Sequence, residues 1–323
     1  MNTRPTCRIS TQAIEQARHR IAQEFLDSRQ IEDMQLSRAV GARFLCKVET
    51  ENPVGSFKGR GAESFIQALP DHIRSIVTAS AGNFGLAMAY AARRRGIMAT
   101  VYAAENASPV KLQRIRAAGG RVIQSGKDFD EAKAHARRAA ENERTPFVED
   151  GLEPEITAGA GTMAMEITAS GQRIDTMLVP LGNGALLGGI ACWFKSRSPA
   201  TRIIGVSAAG APAMALSWRS HTVQSTASVN TIADGIAVRV PVPEALADLE
   251  TVVDDVVLVT DHALKLALKL FHEHLGLIVE PSAVAGIAAL LSDSSLARGV
   301  VCTPITGGNI SPDQLRAWLA ELP

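Results

Sequence analysis

Short apolar runs rich in β-branched residues recur along the chain, and each ends in small or turn-forming residues. Uninterrupted apolar runs of this kind are typical of strands buried on both faces of a parallel sheet. They predict strands at 75–80, 98–104, 121–125, 176–182, 202–208 and 299–307. Segments with helical spacing of apolar residues predict helices at 84–95, 109–118, 128–142, 159–171, 187–197, 261–275, 282–292 and 312–321. Strands that alternate with helices predict a layered α/β fold.

Residues at the starts of several predicted helices support this assignment. Asp128, Asp261 and Ser311 stand at N-cap positions, where a side-chain oxygen can accept a hydrogen bond from a free backbone N–H group. Pro312 follows Ser311 at the first helical position, which proline favours. The turn-rich stretch 144–162 is the best candidate for a crossing between two lobes.

The charge and the cysteine pattern argue against several classes of protein. The 323 residues include 33 lysines and arginines and 33 aspartates and glutamates, so no net charge attracts nucleic acid or an anionic membrane. The four cysteines show no CxxC or CxxH spacing, which argues against a zinc site and a disulfide framework. The N-terminus has no apolar signal segment, and no stretch reaches ~20 uncharged apolar residues. We therefore expect a soluble protein in a reducing cytoplasm.

Three glycine-containing turns, at 80–83, 182–185 and 306–308, follow predicted strands. Ligands of α/β proteins collect at the carboxyl ends of strands, so the three turns can converge on one site. The first turn opens a helix, whose free N–H groups could bind a carboxylate. The second is built of small residues that can close around a phosphate, although it lacks the lysine of a P-loop. Each turn, taken alone, could also be an ordinary tight turn that binds nothing.

Lys58 stands between Phe57 and Gly59 in VGSFKGRGA, residues 54–62, just before another predicted helix. An amine among apolar and small residues is poorly hydrated and becomes nucleophilic toward carbonyl carbon, as a Schiff base requires. The alternative is an ordinary surface lysine, although positive charge at a helix start is slightly unfavourable. A lysine combined with a phosphate-binding turn and a carboxylate-binding turn predicts pyridoxal phosphate and an amino-acid substrate.

Six motifs occur together and in the order of one enzyme family. They are KVETENPVGSFKGRGA (47–62), TASAGNFG (78–85), VPLGNGALLGGI (179–190), TIADGIAV (231–238), VEPSAVAG (279–286) and TGGN (306–309). On these motifs the chain resembles the fold-type II pyridoxal phosphate enzymes, and among them the serine/threonine dehydratases. The resemblance implies an α/β fold with two open twisted sheets flanked by helices, as in tryptophan synthase β. It also implies a large cofactor-binding domain of residues 1–70 and 153–323, a small substrate-closing domain of residues 75–150, and a homodimer.

The resemblance further implies a reaction and a role for each site residue. The reaction is β-elimination from a small 3-hydroxy amino acid, such as L-threonine or L-serine, to a 2-oxo acid and ammonia. Lys58 would form the Schiff base with the cofactor and remove the Cα proton. The substrate carboxylate would be held by Ser80, Ala81, Gly82 and Asn83. The other cofactor-binding residues would be Phe57, Asn83 at the pyridine 3-oxygen, Gly182, Asn183, Gly184 and Ala185 around the phosphate, Glu280, and Thr306 at the ring nitrogen.

Some positions depart from the pattern of this group. Val54 stands where dehydratases of this group usually have threonine. Phe84 stands where many relatives have histidine, so contacts beside the carboxylate-binding turn and the substrate preference could differ. Relatives that racemise serine have a second serine at the position of Ala81, so racemisation is disfavoured here. Two carboxylates that bind a divalent cation in those relatives are absent from GVSAAGAPA, residues 205–213, so no bound metal is expected.

Two alternatives to elimination remain open at this stage. A replacement enzyme related to threonine synthase or cysteine synthase is one, although Gly59 stands where those families usually have aspartate. A non-catalytic protein that binds the cofactor is the other. Asp234 and Glu280 could each orient the cofactor or the leaving group, or instead cap a turn and the helix after Pro281. The identity of the 3-hydroxy amino acid is also open.

Overall fold

The computed structural model of the protein describes residues 7–322. Within this range the strands are β1 (Gln30–Glu32), β2 (Arg43–Val48), β3 (Ser75–Ala79), β4 (Met98–Ala103), β5 (Arg121–Gln124), β6 (Phe147–Val148), β7 (Thr176–Pro180), β8 (Arg202–Ala208), β9 (Asp255–Val259) and β10 (Val300–Ile305). One sheet has six strands in the order β1-β2-β10-β7-β8-β9, and the other has four in the order β5-β4-β3-β6. Strands β1 and β2 are antiparallel, whereas the pairs among β2 to β10 are parallel.

Helices flank both sheets. They are α1 (Thr11–Arg20), α2 (Met34–Val40), α3 (Lys58–Ala68), α4 (Asn83–Arg94), α5 (Pro109–Ala117), α6 (Phe129–Glu143), α7 (Pro154–Ala169), α8 (Ala185–Arg197), α9 (Ala213–Ser220), α10 (Pro243–Glu250), α11 (Asp261–Leu275), α12 (Ala285–Ser292) and α13 (Pro312–Ala320). The predicted α/β fold with two open sheets is confirmed. Within residues 7–322, every helix is too short or too polar to cross a bilayer.

Two details of the predicted elements are wrong. Helix α7 begins at Pro154, because proline suits the first helical turn, so part of the turn-rich stretch 144–162 is helical. The N-cap of α11 is Thr260, which accepts a hydrogen bond from Ala263, and not Asp261. The Asp261 carboxylate instead accepts from the Thr231 hydroxyl and the Ile232 N–H. The predicted N-caps Asp128 and Ser311 are confirmed.

A buried ion cluster fixes the start of α3, the helix that begins with Lys58. Arg60 is fully buried and donates two hydrogen bonds to Glu49, at 2.8 and 2.9 Å, and two to Glu166, at 2.6 and 2.9 Å. Lys47 adds a second cation 2.8 Å from Glu166. These bonds join β2, α3 and α7, so the backbone around Lys58 is tied to both elements.

Helices α7 and α8 cross at glycines, which lets their backbones approach closely. A Cβ atom on Gly161 would lie 2.9 Å from the Gly189 carbonyl oxygen, closer than side-chain carbons pack. A Cβ atom on Gly189 would overlap the Thr157 carbonyl. This contact places the N-terminus of α8, with the turn 182–185, against the part of the fold that carries Lys58.

Candidate active site

A cavity of about 670 Å³ lies between the two sheets, at the carboxyl ends of their strands. Its volume is within the range of ~300–1,000 Å³ found for small-molecule sites. It is lined by all the site residues predicted from sequence: Phe57, Lys58, Ser80, Ala81, Gly82, Asn83, Gly182, Asn183, Gly184, Ala185, Glu280 and Thr306. Residues that are far apart in the chain therefore converge on one cavity, as predicted from the positions of the three turns.

The amine of Lys58 lies inside this cavity. The preceding Phe57 N–H donates to the Thr306 carbonyl at 2.9 Å, which fixes the chain where α3 begins. Lys58 Nζ lies 4.5 Å from the centre of the Phe57 ring and 5.9 Å from that of Phe84. It donates a hydrogen bond to Asp150 Oδ2 at 2.6 Å, and the Lys58 side chain is 15% exposed. The surface-lysine alternative is therefore wrong, since two rings and a carboxylate surround the amine.

The turn 80–83 presents a helix N-terminus to the cavity. Strand β3 ends at Ala79 and α4 begins at Asn83, with Gly82 as an N-cap that has no side-chain hydrogen bond. The Gly82 N–H donates to Ser80 Oγ at 3.2 Å. The first N–H groups of a helix lack intrahelical partners, and the helix dipole favours negative charge there. A carboxylate can bind at this turn.

The turn 182–185 presents a second helix N-terminus. Gly184 has φ of +99°, a left-handed conformation that glycine adopts without strain, and it directly precedes α8. A Cβ atom on Gly182 would lie 3.0 Å from the Gly235 carbonyl oxygen, so a larger residue would crowd the backbone at Gly235. Asn183 supplies the turn's one polar side chain, with Nδ2 3.4 Å from Asp150 Oδ2. This small-residue turn suits a phosphate group.

Glu280 is buried beside Asn83 and Asn309. Asn83 Nδ2 donates to Glu280 Oε1 and Oε2 at 3.0 and 2.9 Å, and the Asn309 N–H donates to Oε1 at 3.1 Å. Asn309 Nδ2 in turn donates to Asn83 Oδ1 at 2.8 Å, which fixes the direction of the Asn83 amide. Burial raises the pKa of Glu280, and the donors Asn83 and Asn309 oppose that effect only in part.

Neither carboxylate left open by the sequence caps a helix. The Glu280 side chain makes no capping hydrogen bond to the helical turn that begins at Pro281, because its oxygens accept from Asn83 and Asn309. Asp234 is partly exposed at the cavity mouth and pairs with Lys111 on α5. The capping interpretation is therefore wrong for both residues.

A second ion pair lies at the cavity mouth, between Asp130 on α6 and Arg239. With the pair Lys111–Asp234, it joins helices that follow strands of the four-stranded sheet to the segment 231–240. Arg114 Nη1 also donates to Asn309 Oδ1 at 3.2 Å. Three polar contacts thus bridge the two sides of the entrance.

Two residues of the site were not predicted as functional. Asp150 follows β6 in a segment, VEDG, that looks like an ordinary polar turn, although an acid after a buried strand is a usable signal. Asn309 belongs to the TGGN motif, and its role depends on partners at positions 54 and 83. Both contacts depend on tertiary structure, which local patterns do not show.

The cavity has the chemical groups that pyridoxal phosphate requires. The cofactor carries an aldehyde, an aromatic ring and a phosphate. Lys58 supplies a shielded amine for the aldehyde, and the Asp150 carboxylate links that amine to Asn183 in the phosphate-binding turn. The narrow space at Gly182, which a Cβ atom would fill, matches a close backbone approach to phosphate oxygens. The residues present therefore fit this cofactor.

Comparisons with known proteins agree with this geometry. The family described as pyridoxal-phosphate dependent enzyme matches residues 30–307. The L-threonine ammonia-lyase of Geobacter sulfurreducens is 33% identical over 301 residues, which cover 92% of this chain and 75% of that protein. A serine racemase of Oryza sativa subsp. indica is 32% identical over 314 residues, 92% of this chain and 90% of that protein. The processed form of threonine deaminase isoform 2 from Solanum lycopersicum superposes with a TM-score of 0.89 at 29% identity, covering 96% of this chain and 93% of the other.

Proposed function

Because the chain belongs to the pyridoxal-phosphate dependent enzymes, we propose that it is an ammonia-lyase that acts on a small 3-hydroxy amino acid. The reaction is β-elimination from a substrate such as L-threonine or L-serine, with a 2-oxo acid and ammonia as products. The observation that carries this proposal is the position of Lys58 Nζ, which lies in one cavity with a carboxylate-binding turn and a phosphate-binding turn. The named ammonia-lyase and deaminase relatives support the same reaction class.

We assign different residues of the cavity to different parts of the substrate and the cofactor. The turn 80–83 would hold the substrate carboxylate through its N–H groups, and the Asn83 amide, which contacts Glu280 and Asn309 in this structure, would turn toward the 3-oxygen of the ring. The turn 182–185 would hold the phosphate. Thr306 would contact the ring nitrogen, and Glu280 would lie beside the ring. Phe57 would pack against the cofactor and keep water away from Lys58.

Lys58 provides the acid–base chemistry. Bound pyridoxal phosphate would supply an aldehyde that takes the substrate amine and a conjugated ring that accepts electrons from Cα. The free Lys58 amine takes the proton from Cα. Beside the ring nitrogen, the neutral Thr306 hydroxyl would stabilise a protonated nitrogen less well than a carboxylate, which would favour prompt loss of the β-hydroxyl.

Racemisation is the activity named for several relatives, including the serine racemase of Oryza sativa subsp. indica, and Ala81 argues against it here. Racemisation needs a second proton-carrying group on the face of Cα opposite Lys58. The methyl group of Ala81, at the position where serine-racemising relatives have a second serine, cannot carry a proton. Elimination needs only Lys58 as a base and is therefore the favoured outcome.

The packing of Gly59 argues against a replacement enzyme. A Cβ atom on Gly59 would overlap the ring of Phe25, a residue that is 1% exposed. The aspartate usual at this position in threonine synthase and cysteine synthase therefore does not fit beside Phe25. This packing supports the dehydratase interpretation.

We also propose how the chain is organised in the cell. Residues 75–150 form a small domain that closes over the substrate, and residues 1–70 with 153–323 form the large cofactor-binding domain. The continuous four-stranded sheet between residues 75 and 148 supports this division. The protein acts as a cytoplasmic homodimer. Its four free cysteines suit a reducing compartment, and light scattering of the purified protein tests the dimer.

A direct assay tests the proposed function. Purified protein is incubated with pyridoxal phosphate and, in turn, L-threonine, L-serine, 3-phenylserine and 3-hydroxyaspartate, and the 2-oxo acid is measured. We expect release of 2-oxo acid and an absorbance band near ~410 nm, typical of pyridoxal Schiff bases. Lys58→Ala should abolish the band and lower the rate by at least ~10²–10⁴-fold. A Lys58→Ala variant of undiminished activity, or a wild type that gives only D-serine or a replacement product, contradicts the proposal.

A further inference from the structure

Asp150 is a carboxylate inside the cavity for which the proposed reaction has so far no use. It follows β6, and its backbone is packed against the phosphate-binding turn. At the next residue, Gly151, φ is +89°, and a Cβ atom there would lie 2.6 Å from the Asn183 carbonyl oxygen. The Asp150 side chain is 10% exposed, so it is largely withdrawn from solvent.

The hydrogen bonds of Asp150 depend on Lys58. Its Oδ2 accepts from Lys58 Nζ at 2.6 Å and, more weakly, from Asn183 Nδ2 at 3.4 Å. Its Oδ1 is buried and has no hydrogen-bond partner among residues 7–322. Lys58 is also the cation that forms an ion pair with it in that part of the chain.

The adjacent carboxylate, Glu149, has different surroundings. It lies 2.7 Å from Lys133 and also pairs with Arg137, both on α6. Its charge is therefore matched by two cations of α6, although Glu149 and Lys133 also line the cavity. The two neighbouring acids thus differ in their cationic partners: Glu149 pairs with side chains of α6, and Asp150 pairs with the catalytic amine.

We propose that Asp150 is a positioning residue that receives the Lys58 amine whenever Lys58 is not bonded to the cofactor. This inference rests on the proposed function, because that function requires Lys58 to be released in every turnover. With the cofactor bound, Lys58 would be freed as an amine when the substrate nitrogen takes the place of Nζ in the Schiff base. The structure shows where the free amine lies, 2.6 Å from Asp150 Oδ2.

The contact between Lys58 and Asp150 also supports the removal of the Cα proton. The neutral Lys58 amine would take the Cα proton and become an ammonium ion, the electron pair of the C–H bond would form a Cα–Cβ double bond, and the β-hydroxyl group would leave with its bonding electrons as hydroxide. No further oxidant or reductant is needed. The Asp150 carboxylate matches the new positive charge through a charge-assisted hydrogen bond and keeps Nζ between the two binding turns. Misplacing a catalytic group by about 1 Å can cost ~100-fold in rate.

The test compares Asp150→Asn, which keeps shape and removes charge, with Asp150→Glu, which keeps charge. Glu149→Gln is the matched control, because Glu149 lines the same cavity but pairs with Lys133 and Arg137 of α6 and not with Lys58. We expect Asp150→Asn to lower kcat by about 100-fold with little change in KM, since the carboxylate acts on Lys58 and not on free substrate. Asp150→Glu should recover at least about ten-fold of this loss, and Glu149→Gln should keep wild-type kcat. Equal kcat in the Asn and Glu variants of Asp150 would overturn the proposal.

A second measurement uses the cofactor-free protein. Trinitrobenzenesulfonate reacts with free amines, and peptide mass spectrometry gives the rate at which Lys58 is labelled. We expect several-fold faster labelling in Asp150→Asn than in wild type or Glu149→Gln, because the amine is no longer held against a carboxylate. Unchanged labelling of Lys58 in a folded Asp150→Asn variant contradicts the proposal. A wild type that forms no 2-oxo acid contradicts the proposed function instead, and labelling then decides the Lys58–Asp150 pairing separately.

Discussion

Asn83 donates hydrogen bonds from one nitrogen to both carboxylate oxygens of Glu280, at 3.0 and 2.9 Å. Asn83 begins α4 beside the four-stranded sheet, whereas Glu280 precedes α12 beside the six-stranded sheet. Asn309 holds the Asn83 amide in the required orientation through its own bond to Asn83 Oδ1. The carboxylate-binding turn is thereby connected to the side of the cavity where the cofactor ring is proposed to lie.

The burial of Glu280 makes stability depend on pH. Burial raises its pKa in the folded protein, and hydrogen bonds from Asn83 and Asn309 lower it less. The folded state therefore holds the proton more tightly than the unfolded state, and wild type loses stability as pH rises above ~4.3, the usual value for glutamate. Glu280→Gln removes the carboxyl group that titrates, and with it this pH-dependent loss of stability. We expect the stability of Glu280→Gln relative to wild type to increase between pH 5 and pH 8, as measured by urea unfolding of the cofactor-free proteins. Parallel pH curves for the two proteins would contradict this account.

Removing the buried Arg60 should destabilise the fold strongly. Its guanidinium pairs with Glu49 and Glu166, and Arg60→Met leaves two buried carboxylates with fewer cations. Loss of one partner from a buried pair costs about 3–5 kcal/mol, so denaturant unfolding should show a decrease of that size. The exposed pair Arg43–Glu32 provides the control, and Arg43→Met should change stability much less. Similar effects of the two variants would show that the cluster is not a main support of α3.

The conformation of Gly184 should matter for cofactor binding. Its φ of +99° is strained for alanine, so Gly184→Ala should shift the turn 182–185 and weaken the binding of pyridoxal phosphate by about ten-fold. Gly171→Ala is a matched control, because Gly171 has φ of +73° and lies after α7, outside the cavity. Both variants should lose some stability. Fluorescence titration with the cofactor should show weaker binding for Gly184→Ala alone, and equal affinities would refute the role of this turn.

The ion pair Lys111–Asp234 should help to close the cavity mouth over substrate. Both side chains are partly exposed, and such pairs contribute about 0.2–1 kcal/mol, or up to about five-fold in binding. Lys111→Gln should therefore raise KM for the substrate by a few-fold and leave kcat nearly unchanged. Wild-type KM should also rise with salt, because salt screens exposed charges. Lys265→Gln, which removes a surface pair with Glu321 outside the cavity, should leave both KM and its salt dependence as in wild type. A KM that is the same for Lys111→Gln and wild type would exclude this role.

The sequence predicts the central strands well because burial on both faces leaves a clear signal. Strand β8 has the predicted bounds, 202–208, since all but its first residue are buried. Strand β2 is harder, because Lys47 interrupts its apolar run. That lysine is tolerated in the interior because it lies 2.8 Å from Glu166 and 2.6 Å from the Ser28 carbonyl. Neither partner can be identified from the local pattern.

Local sequence patterns also identify only part of the candidate site. Lys58 and the turns are recognisable because the required residues are contiguous in sequence. Asp150 and Asn309 gain their importance from contacts with Lys58 and Asn83, which are distant in sequence. A turn such as VEDG does not indicate which of its two acids contacts the Lys58 amine, since both line the cavity. In the structure Asp150 contacts Lys58, whereas Glu149 pairs with Lys133 and Arg137.

The pairing of β2 with β10 has a consequence for synthesis of the chain. Val300 pairs with Arg43, and Ile305 pairs with Val48, so the strand just before the Lys58 segment finds its parallel neighbour near the end of the protein. During synthesis on the ribosome, β3 to β6 can pair with one another, whereas one apolar edge of β2 stays unpaired until β10 has been made. Such an edge invites association with other chains, so release of the protein before Val300 has been made should lead to aggregation.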